Sequence, residues 1–191
     1  MATDPIEMFR ELFERAKAAC AEPDAMVLST AGQDGRPSGR YVLLKAFDAR
    51  GFVFYTNLGS RKARDLTANP HASLCVYWAP IGKQVRIEGH VEPVTHLEAD
   101  AYFASRPREY QIGAWASAQS DVLESRAALD DRVARARERF GDGMVPRPPF
   151  WSGYRVVPQT IEFWSRDPAR LHERERYDRD GDRWMRSLLF P

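Results

Sequence analysis

The first twenty residues carry the apolar periodicity of one amphipathic helix. Asp4 supplies a side-chain cap and Pro5 suits the first helical position. Apolar residues then recur at spacings of three and four, at Ile6, Phe9, Phe13, Ala16 and Cys20. The pattern predicts an N-terminal helix over about residues 4–21, with one buried face.

After residue 24 the pattern changes to short apolar or alternating segments that turn residues separate. Strands are predicted in AMVLST, GRYVLLKAF, FVFYTN, ASLCVYW, QVRIEGHVEPV and GYRVVPQTIEFW. LHERERY and DRWMRSLLF flank the turn DRDGD and predict a hairpin within a C-terminal region of about 165–191. Further helices are predicted in SRKARDLTAN, in HLEADAYFASRP and over 120–140. The last of these carries an apolar stripe of Val122, Leu129, Val133, Ala136 and Phe140.

The order of these elements indicates the fold class. About seven strands, mostly adjacent along the chain and interrupted by helices, favour a mainly β fold with packed helices, in the α+β class. An antiparallel barrel with helices outside fits this order. No repeat, low-complexity tract or linker divides the chain, so we expect a single domain over residues 1–191.

Charge and composition exclude several partner classes. The 28 basic and 27 acidic residues give a net charge of +1, so the chain has no general attraction for nucleic acid or membranes. Any anion site must therefore be built locally. No apolar run approaches the roughly 18–20 residues of a membrane span, and no signal-peptide pattern is present, so we expect a cytoplasmic protein. Cys20 and Cys75 match no metal or disulfide spacing; we expect small buried residues there and no metal site.

Two segments have the chemistry of phosphate sites. In FYTNLGSRKARDL a strand leads through a Gly-Ser turn into a helix, with Arg61 and Lys62 in its first turn. Free backbone N–H groups and the positive end of the helix dipole meet two cations there, which suits a phosphate. In AYFASRPR, Tyr102 and Arg106 lie four apart on one helical face and offer a hydroxyl beside a guanidinium. A tyrosine packed over an exposed arginine is the alternative, and the sequence leaves both open.

Two further segments place cations along predicted strands. Arg40 and Lys45 bracket an apolar strand, and alternation puts them on opposite faces. In RLHER, alternation in an extended chain puts Arg170, His172 and Arg174 on one side. That side is either the wall of a binding site or a solvated, salt-bridged strand surface.

Taken together, these segments resemble the pyridoxine/pyridoxamine 5′-phosphate oxidase family. RYVLLK, FYTNLGSRKARDL, QVRIEGHVE, YFASRPREYQIGAWAS, PRPPFWSGYRV, IEFW and RLHER occur in the family's order and approximate spacing. The resemblance implies an FMN-binding split β-barrel that forms a homodimer with FMN at the subunit interface. It also implies oxidation of pyridoxamine or pyridoxine 5′-phosphate to pyridoxal 5′-phosphate, with hydride transfer to the flavin and reduction of O2 to H2O2.

The resemblance also assigns roles to residues. It implies that the cofactor contacts Arg40, Tyr41, Val42, Leu43, Leu44, Lys45, Tyr55, Thr56, Arg61, Lys62, Gln84, Gln119, Ser120, Trp164 and Arg174. It implies that the substrate phosphate is held by Lys45, Tyr102 and Arg106, and it places Tyr110 at a substrate-binding position. Arg170 and His172 would face the pyridine ring, orient it and assist proton transfer, so they are the expected catalytic residues.

The chain departs from the family pattern at three places. Tyr110 stands where a small Ser or Gly is common, and its bulk would narrow the substrate pocket. Leu188 stands where the family has an arginine in an Arg-Leu-x-Pro ending. The family's basic, tyrosine-containing N-terminal segment, which can cover substrate, has no counterpart before the first helix.

These departures leave alternatives to the vitamin substrate. One is a flavin oxidase of the phenazine-biosynthesis type, which acts on another ring on the same scaffold. Another is a non-catalytic FMN-binding split barrel. A nucleic-acid-binding barrel is disfavoured because it would need a basic face, which the net charge of +1 does not supply.

Overall fold

A computed structural model describes residues 4–191, which contain five α-helices, one short 3₁₀ turn and nine β-strands. The helices are α1 (Pro5–Ala19), α2 (Arg61–Ala68), α3 (His96–Ser105), α4 (Arg108–Ala116) and α5 (Arg126–Phe140). The strands are β1 (Ala25–Ala31), β2 (Pro37–Leu43), β3 (Ala46–Asp48), β4 (Gly51–Asn57), β5 (His71–Trp78), β6 (Lys83–Pro93), β7 (Trp151–Ser165), β8 (Glu173–Asp180) and β9 (Arg183–Leu189). The first three residues of the predicted domain lie outside the described residues.

The nine strands join one antiparallel sheet. Its order is β2-β1-β5-β6-β7-β4-β3, and the β8–β9 hairpin extends it from β7. Strand β7 is long enough to pair with β4 along its first half and with β8 along its second. Because β2 and β3 end the order but are consecutive in the chain, the sheet curls into a half-barrel. The predicted mainly β fold with packed helices is confirmed.

Helix α1 packs its apolar face on the core of this sheet. The carboxylate of Asp4 caps the helix by accepting the N–H of Ile6 at 2.9 Å, as the sequence predicts. The ring of Phe9 is buried, with its centroid 4.9 Å from that of Phe52 and 5.7 Å from that of Trp78. The predicted amphipathic helix is therefore confirmed, with a slightly shorter extent.

The helices after residue 107 differ from the prediction. Helix α4 is not predicted from the sequence. Its apolar pattern is weak, because Ile112 and Ala116 are its only buried residues. Helix α5 starts at Arg126 rather than at residue 120, since the Ser125 hydroxyl accepts the N–H of Ala128 at 3.1 Å and caps the helix there. The sequence predicts Val122 on the apolar stripe of this helix, but Val122 precedes the helix and is 98% exposed.

The segment GRYVLLKAF is two strands and not the predicted single strand. The N–H of Leu44 donates to the carbonyl of Asp24, and the N–H of Lys45 donates to the carbonyl of Val53. The chain therefore leaves the edge of β1 and joins β4 between β2 and β3. The prediction of one flat strand is wrong for this reason. The alternation itself continues, because Val42 and Leu44 are buried while Tyr41 and Leu43 are exposed, so the expected placement of Arg40 and Lys45 on opposite faces is not contradicted.

The C-terminal hairpin also begins later than predicted. Strand β8 starts at Glu173, so Arg170 and His172 precede it. Arg170 has a φ of +66°, in the left-handed region, and this interrupts the extended chain. The prediction that alternation alone sets Arg170, His172 and Arg174 on one side of a strand is therefore wrong.

Helices α3, α4 and α5 pack on the side of β4 that faces away from the barrel core. Phe103, Ile112 and Ala136 form one buried cluster with Trp151 of β7. Ala99 packs against Val53 in a second, smaller cluster. Within residues 4–191, no helix is both long and apolar enough to cross a membrane.

Candidate functional site

A cavity of about 530 Å³ lies between β4, helices α3 and α4, and the link from β2 to β3. Its walls are Leu43, Lys45, Tyr55, Thr56, Asn57, Tyr102, Arg106, Glu109, Tyr110, Gly113, Ala114, Ser117, Gln119 and Trp151. The predicted site residues among these are Leu43, Lys45, Tyr55, Thr56, Tyr102, Arg106, Tyr110 and Gln119, which we call the cavity group. The fold thus gathers residues that are far apart in the sequence.

One wall of the cavity is a stack of parallel aromatic rings. The rings of Tyr55 and Tyr102 have centroids 4.1 Å apart, and those of Tyr55 and Trp151 are 5.3 Å apart at an angle of 3°. A Cβ at Gly153 would come within 2.6 Å of the Tyr55 ring, so this glycine allows the ring to lie flat on the sheet. The stack gives the cavity a planar, apolar side.

Arg106 brings a cation to this aromatic wall. Its guanidinium lies 4.9 Å from the centroid of the Trp151 ring, and burial lowers its pKa. Its Nη1 atom is buried and has no hydrogen-bond partner among residues 4–191. A buried donor without an acceptor is unfavourable, so an anionic ligand group at this position would complete its bonding. The exposed-arginine alternative raised by the sequence is thereby excluded.

A second cation is buried at the start of α2. Lys62 is 8% exposed, and its ammonium donates to Thr56 Oγ1 at 3.2 Å and to Gln119 Oε1 at 3.1 Å. No carboxylate among residues 4–191 lies within ion-pair distance of it, and burial, then the charge of Arg40, lowers its pKa. Arg61 is exposed in the same first turn. The combination of a buried ammonium and a helix N-terminus fits a phosphate.

Two other predicted cations have partners within the chain. Arg40 donates to Thr30 Oγ1 at 2.6 Å and lies 3.6 Å from Asp65, and burial lowers its pKa. Lys45 Nζ lies 2.8 Å from Asp24 Oδ2. Unlike Arg40 and Lys45, Arg106 and Lys62 have no carboxylate partner among residues 4–191.

The remaining predicted residues on the sheet form a separate outer-face group. Strand register sets Gln84, Trp164 and Arg174 side by side on β6, β7 and β8. The ring of His172 lies 4.5 Å from the ring of Trp164, and Arg174 donates to Glu162 Oε1 at 2.8 Å. We call Gln84, Trp164, His172 and Arg174 the outer-face group. None of them lines the cavity.

Several predicted positions lie outside both groups. Val42 and Leu44 are buried in the barrel core, which leaves only their backbone groups for a ligand. Tyr41 is 75% exposed on the sheet surface, while Ser120 and Arg170 are exposed in connections, both with positive φ. Their side chains do not line the cavity.

Sequence reasoning missed part of the cavity wall. Asn57, Glu109, Gly113, Ala114, Ser117 and Trp151 line it without having been predicted. Most belong to α4 or directly follow it, so the missed helix explains their omission. Asn57 directly follows Thr56 and donates to the carbonyl of Ser117 at 3.1 Å, a contact that no local pattern reveals.

The chain matches two family models. One is described as pyridoxamine 5′-phosphate oxidase and matches residues 12–140. The other is described as the pyridoxine 5′-phosphate oxidase C-terminal dimerisation region and matches residues 151–191. The two matches include both the cavity group and the outer-face group.

Relatives and solved structures agree with these matches. A Myxococcus xanthus protein named pyridoxine/pyridoxamine 5′-phosphate oxidase is 58% identical over 189 residues, which are 98% of this chain and 92% of the relative. A Rubrobacter xylanophilus protein of the same name is 54% identical over 98% of this chain and 87% of its own.

One similar solved structure is PhzG from Burkholderia lata 383 in complex with tetrahydrophenazine-1-carboxylic acid. It matches with a TM-score of 0.93 and 37% sequence identity, and the match covers 98% of this chain and 93% of the PhzG chain. A pyridoxamine 5′-phosphate oxidase-related, FMN-binding protein from Nostoc punctiforme shares the fold, with a TM-score of 0.79 at 16% identity over the whole of both chains. Since the first family model covers well over half of the chain and the relatives cover nearly all of it, the chain belongs to the pyridoxine/pyridoxamine 5′-phosphate oxidase family, with the split-barrel fold.

Proposed function

We propose that this protein is an FMN-dependent oxidase that converts pyridoxamine 5′-phosphate, pyridoxine 5′-phosphate or both to pyridoxal 5′-phosphate, with reduction of O2 to H2O2. The observation that carries the proposal is the partly buried Arg106 side chain, whose Nη1 atom is buried without a partner among residues 4–191 and whose guanidinium packs on the Trp151 ring. A planar ring with a phosphate group matches both features. The names of the relatives support the same reaction.

The residues present fit FMN as the cofactor. The ammonium of Lys62, the exposed Arg61 and the N-terminus of α2 would hold its phosphate, with Thr56 and Gln119 as polar neighbours. Gln84, Trp164 and Arg174 would contact its ring system. When bound, FMN supplies the two-electron acceptor for the substrate and passes the electrons to oxygen.

The substrate would lie against the cavity group. Arg106, Tyr102 and Lys45 would bind the phosphate, with Tyr110 at the rim of the cavity. His172 and Arg170 would face the pyridine ring, hold its orientation and assist proton transfer. These roles follow from matching the family pattern residue by residue.

The proposed assembly is a homodimer with the site at the interface. None of the outer-face group lines the cavity of its own chain, and in the proposed dimer a second copy would bring the two groups together. Tyr41 and Tyr77 are also exposed on the sheet, and a partner chain would cover them. The match to the C-terminal dimerisation region supports this arrangement. A cytoplasmic location stays a prediction from the sequence.

A second candidate function is oxidation of a phenazine-type ring that carries a carboxylate. The similarity to PhzG supports it, and a carboxylate would also satisfy the Arg106 guanidinium. The Tyr110 ring centroid lies 6.0 Å from the Arg106 guanidinium. A side chain of this size narrows the space beside Arg106, which suits a carboxylate better than the larger phosphate. A non-catalytic FMN-binding protein is the third candidate.

One experiment separates the three candidates. The protein is reconstituted with FMN, and H2O2 is followed with pyridoxamine 5′-phosphate, pyridoxine 5′-phosphate or a dihydrophenazine carboxylic acid. Peroxide from either phosphorylated vitamin supports the leading proposal, and peroxide from the phenazine alone supports the second. Bound flavin with no peroxide from any of them would indicate a non-catalytic protein.

A variant pair tests the role of Arg106. Arg106→Gln should raise the KM for pyridoxamine 5′-phosphate by about tenfold to a hundredfold, the range for losing a hydrogen-bonded charge pair. Turnover of pyridoxamine without its phosphate should change little. Arg36→Gln, which removes the same charge at an exposed turn, is the matched control. An equal loss with both substrates would contradict phosphate binding by Arg106.

A further inference from the structure

The connection between β7 and β8 closes on itself around Asp167. Its Oδ1 atom accepts the N–H of Ala169 at 2.8 Å and the N–H of Leu171 at 3.2 Å. The carbonyl of Asp167 accepts the N–H of Arg170 at 3.2 Å. Within this loop Arg170 has a φ of +66°, which residues with a Cβ rarely adopt unless surrounding bonds hold them there.

The same residue fixes the ring of His172. The backbone N–H of Asp167 donates to His172 Nδ1 at 3.1 Å. A ring nitrogen that accepts a hydrogen bond carries no proton, so the neutral imidazole has its proton on Nε2. The ring also packs on Trp164, with centroids 4.5 Å apart. The orientation and the tautomer of His172 are thus both set by its neighbours.

The start of the loop is fastened to the rest of the sheet. The N–H of Arg166 donates to the carbonyl of Gly82 at 2.8 Å, and its guanidinium donates to the hydroxyl of Tyr77. Both partners belong to the β5–β6 region. With that end fixed, the bonds around Asp167 decide the direction in which the side chains of Arg170 and His172 leave the loop.

We propose that Asp167 is a positioning residue for the oxidase reaction. Its carboxylate holds the loop closed and keeps Arg170 in the left-handed conformation. The closed loop keeps the backbone N–H of Asp167 on His172 Nδ1, which leaves the Nε2–H of His172 as a hydrogen-bond donor to the substrate ring. Asp167 itself contacts no reacting atom. This inference rests on the proposed function, because that function makes the substrate ring the target of Arg170 and His172.

Two substitutions at Asp167 separate the carboxylate's hydrogen bonds from its charge. Asp167→Ala removes the acceptor for the two N–H groups. The value of kcat/KM for pyridoxamine 5′-phosphate should then fall by about tenfold to a hundredfold, because Arg170 and His172 would no longer be held in position against the substrate ring. Asp167→Asn keeps Oδ1, which accepts both N–H groups, and should stay within about threefold of the parent protein. FMN should remain bound in both variants.

The tautomer of His172 gives a readout that needs no turnover. In protein labelled with ¹⁵N-histidine, at a pH where the imidazole is neutral, the His172 ring should show an unprotonated Nδ1 and a protonated Nε2. His172→Gln assigns the signal among the four histidines. The pattern should persist in Asp167→Asn and become a mixture of tautomers in Asp167→Ala.

Several outcomes would overturn the proposal. They are an unchanged kcat/KM or an unchanged tautomer in Asp167→Ala, equal impairment of Asp167→Asn, and loss of FMN from Asp167→Ala. If the parent protein turned over neither phosphorylated vitamin, the proposed function would fail. The tautomer comparison would still test whether Asp167 positions His172.

Discussion

Lys45 Nζ lies 2.8 Å from Asp24 Oδ2, so one of the cations that line the cavity has a carboxylate partner within the chain. Both side chains are partly buried, and the pair joins the α1–β1 connection to the link between β2 and β3. A ligand phosphate would have to compete with Asp24 for this ammonium. If the cavity binds a phosphorylated substrate as proposed, the strength of that binding would therefore depend on Asp24, which does not line the cavity.

Asp24→Asn should lower the KM for pyridoxamine 5′-phosphate by about twofold to fivefold. An ion pair of this exposure contributes roughly 0.5–1 kcal/mol, and its removal frees Lys45 for the phosphate. Steady-state kinetics with the phosphorylated substrate measures the change. Glu22→Gln removes the same charge from an exposed neighbour and serves as the control. An unchanged KM, or the same change in Glu22→Gln, would contradict the competition.

Lys62→Gln should weaken FMN binding by about tenfold to a hundredfold, since the proposed charged hydrogen bond from Lys62 to the cofactor phosphate would be lost. The free energy of unfolding without FMN should stay the same or rise, because a buried ammonium without a carboxylate partner opposes folding. Flavin titration and urea unfolding measure the two quantities. Arg36→Gln should leave both unchanged. Weaker folding with undiminished FMN affinity would assign Lys62 a structural role instead.

Tyr110 sits at the rim of the cavity, 62% exposed, with its ring 6.0 Å from the Arg106 guanidinium. Tyr110→Ser should raise kcat/KM for pyridoxamine 5′-phosphate by about tenfold, because it removes bulk beside the proposed phosphate site and keeps a hydroxyl. Tyr110→Phe separates bulk from the hydroxyl and should resemble the parent protein. If the Phe variant lost activity and the Ser variant gained none, the tyrosine hydroxyl would be a binding group.

Arg155 is 4% exposed and contacts Glu98 at 2.7 Å and Asp48 at 3.2 Å, a cluster that ties α3 to the sheet. The pKa of Glu98 is lowered by hydrogen bonds from the Thr95 backbone and side chain and by the charge of Arg155. A lowered pKa means that the ionised form stabilises the folded state at neutral pH. This stabilisation is lost as the pH falls through the folded-state pKa, below the usual range of about 4.

Glu98→Gln should therefore reduce the free energy of unfolding at pH 7 by about 1 kcal/mol. The difference from the parent protein should disappear at strongly acidic pH, where Glu98 is protonated in both states. Urea unfolding across the acidic range measures it. Glu11→Gln, at an exposed site on α1, should show no such convergence. A difference that persisted at low pH would mean that the charge of Glu98 is not responsible.

Features that depend on adjacent residues could be predicted from the sequence. The start of α1 follows from Asp4 and Pro5, and the start of α2 follows from Ser60, whose hydroxyl accepts the N–H of Ala63. Lys62 and Arg106 were identified because each belongs to a short segment whose residue types suit an anion. These signals are local, so the fold preserves them.

Features that depend on distant partners could not be predicted. The break between β2 and β3 arises because Lys45 pairs with Val53, a residue from another strand. The conformation of RLHER depends on the bonds of Asp167, which override the alternation expected of an extended chain. The pairing of Lys45 with Asp24 likewise appears only once the chain has folded.

The division of the site residues between the cavity and the outer face has a consequence for mixtures of chains. In the proposed dimer, each site takes its cavity group from one chain and its outer-face group from the other. A mixed dimer of Arg106→Gln and His172→Ala chains would contain one site with both substitutions and one site with neither. Refolding the two impaired variants together should therefore restore activity at low pyridoxamine 5′-phosphate concentration that neither variant recovers alone. In genetic terms, two loss-of-function alleles would complement each other only when they fall in different groups.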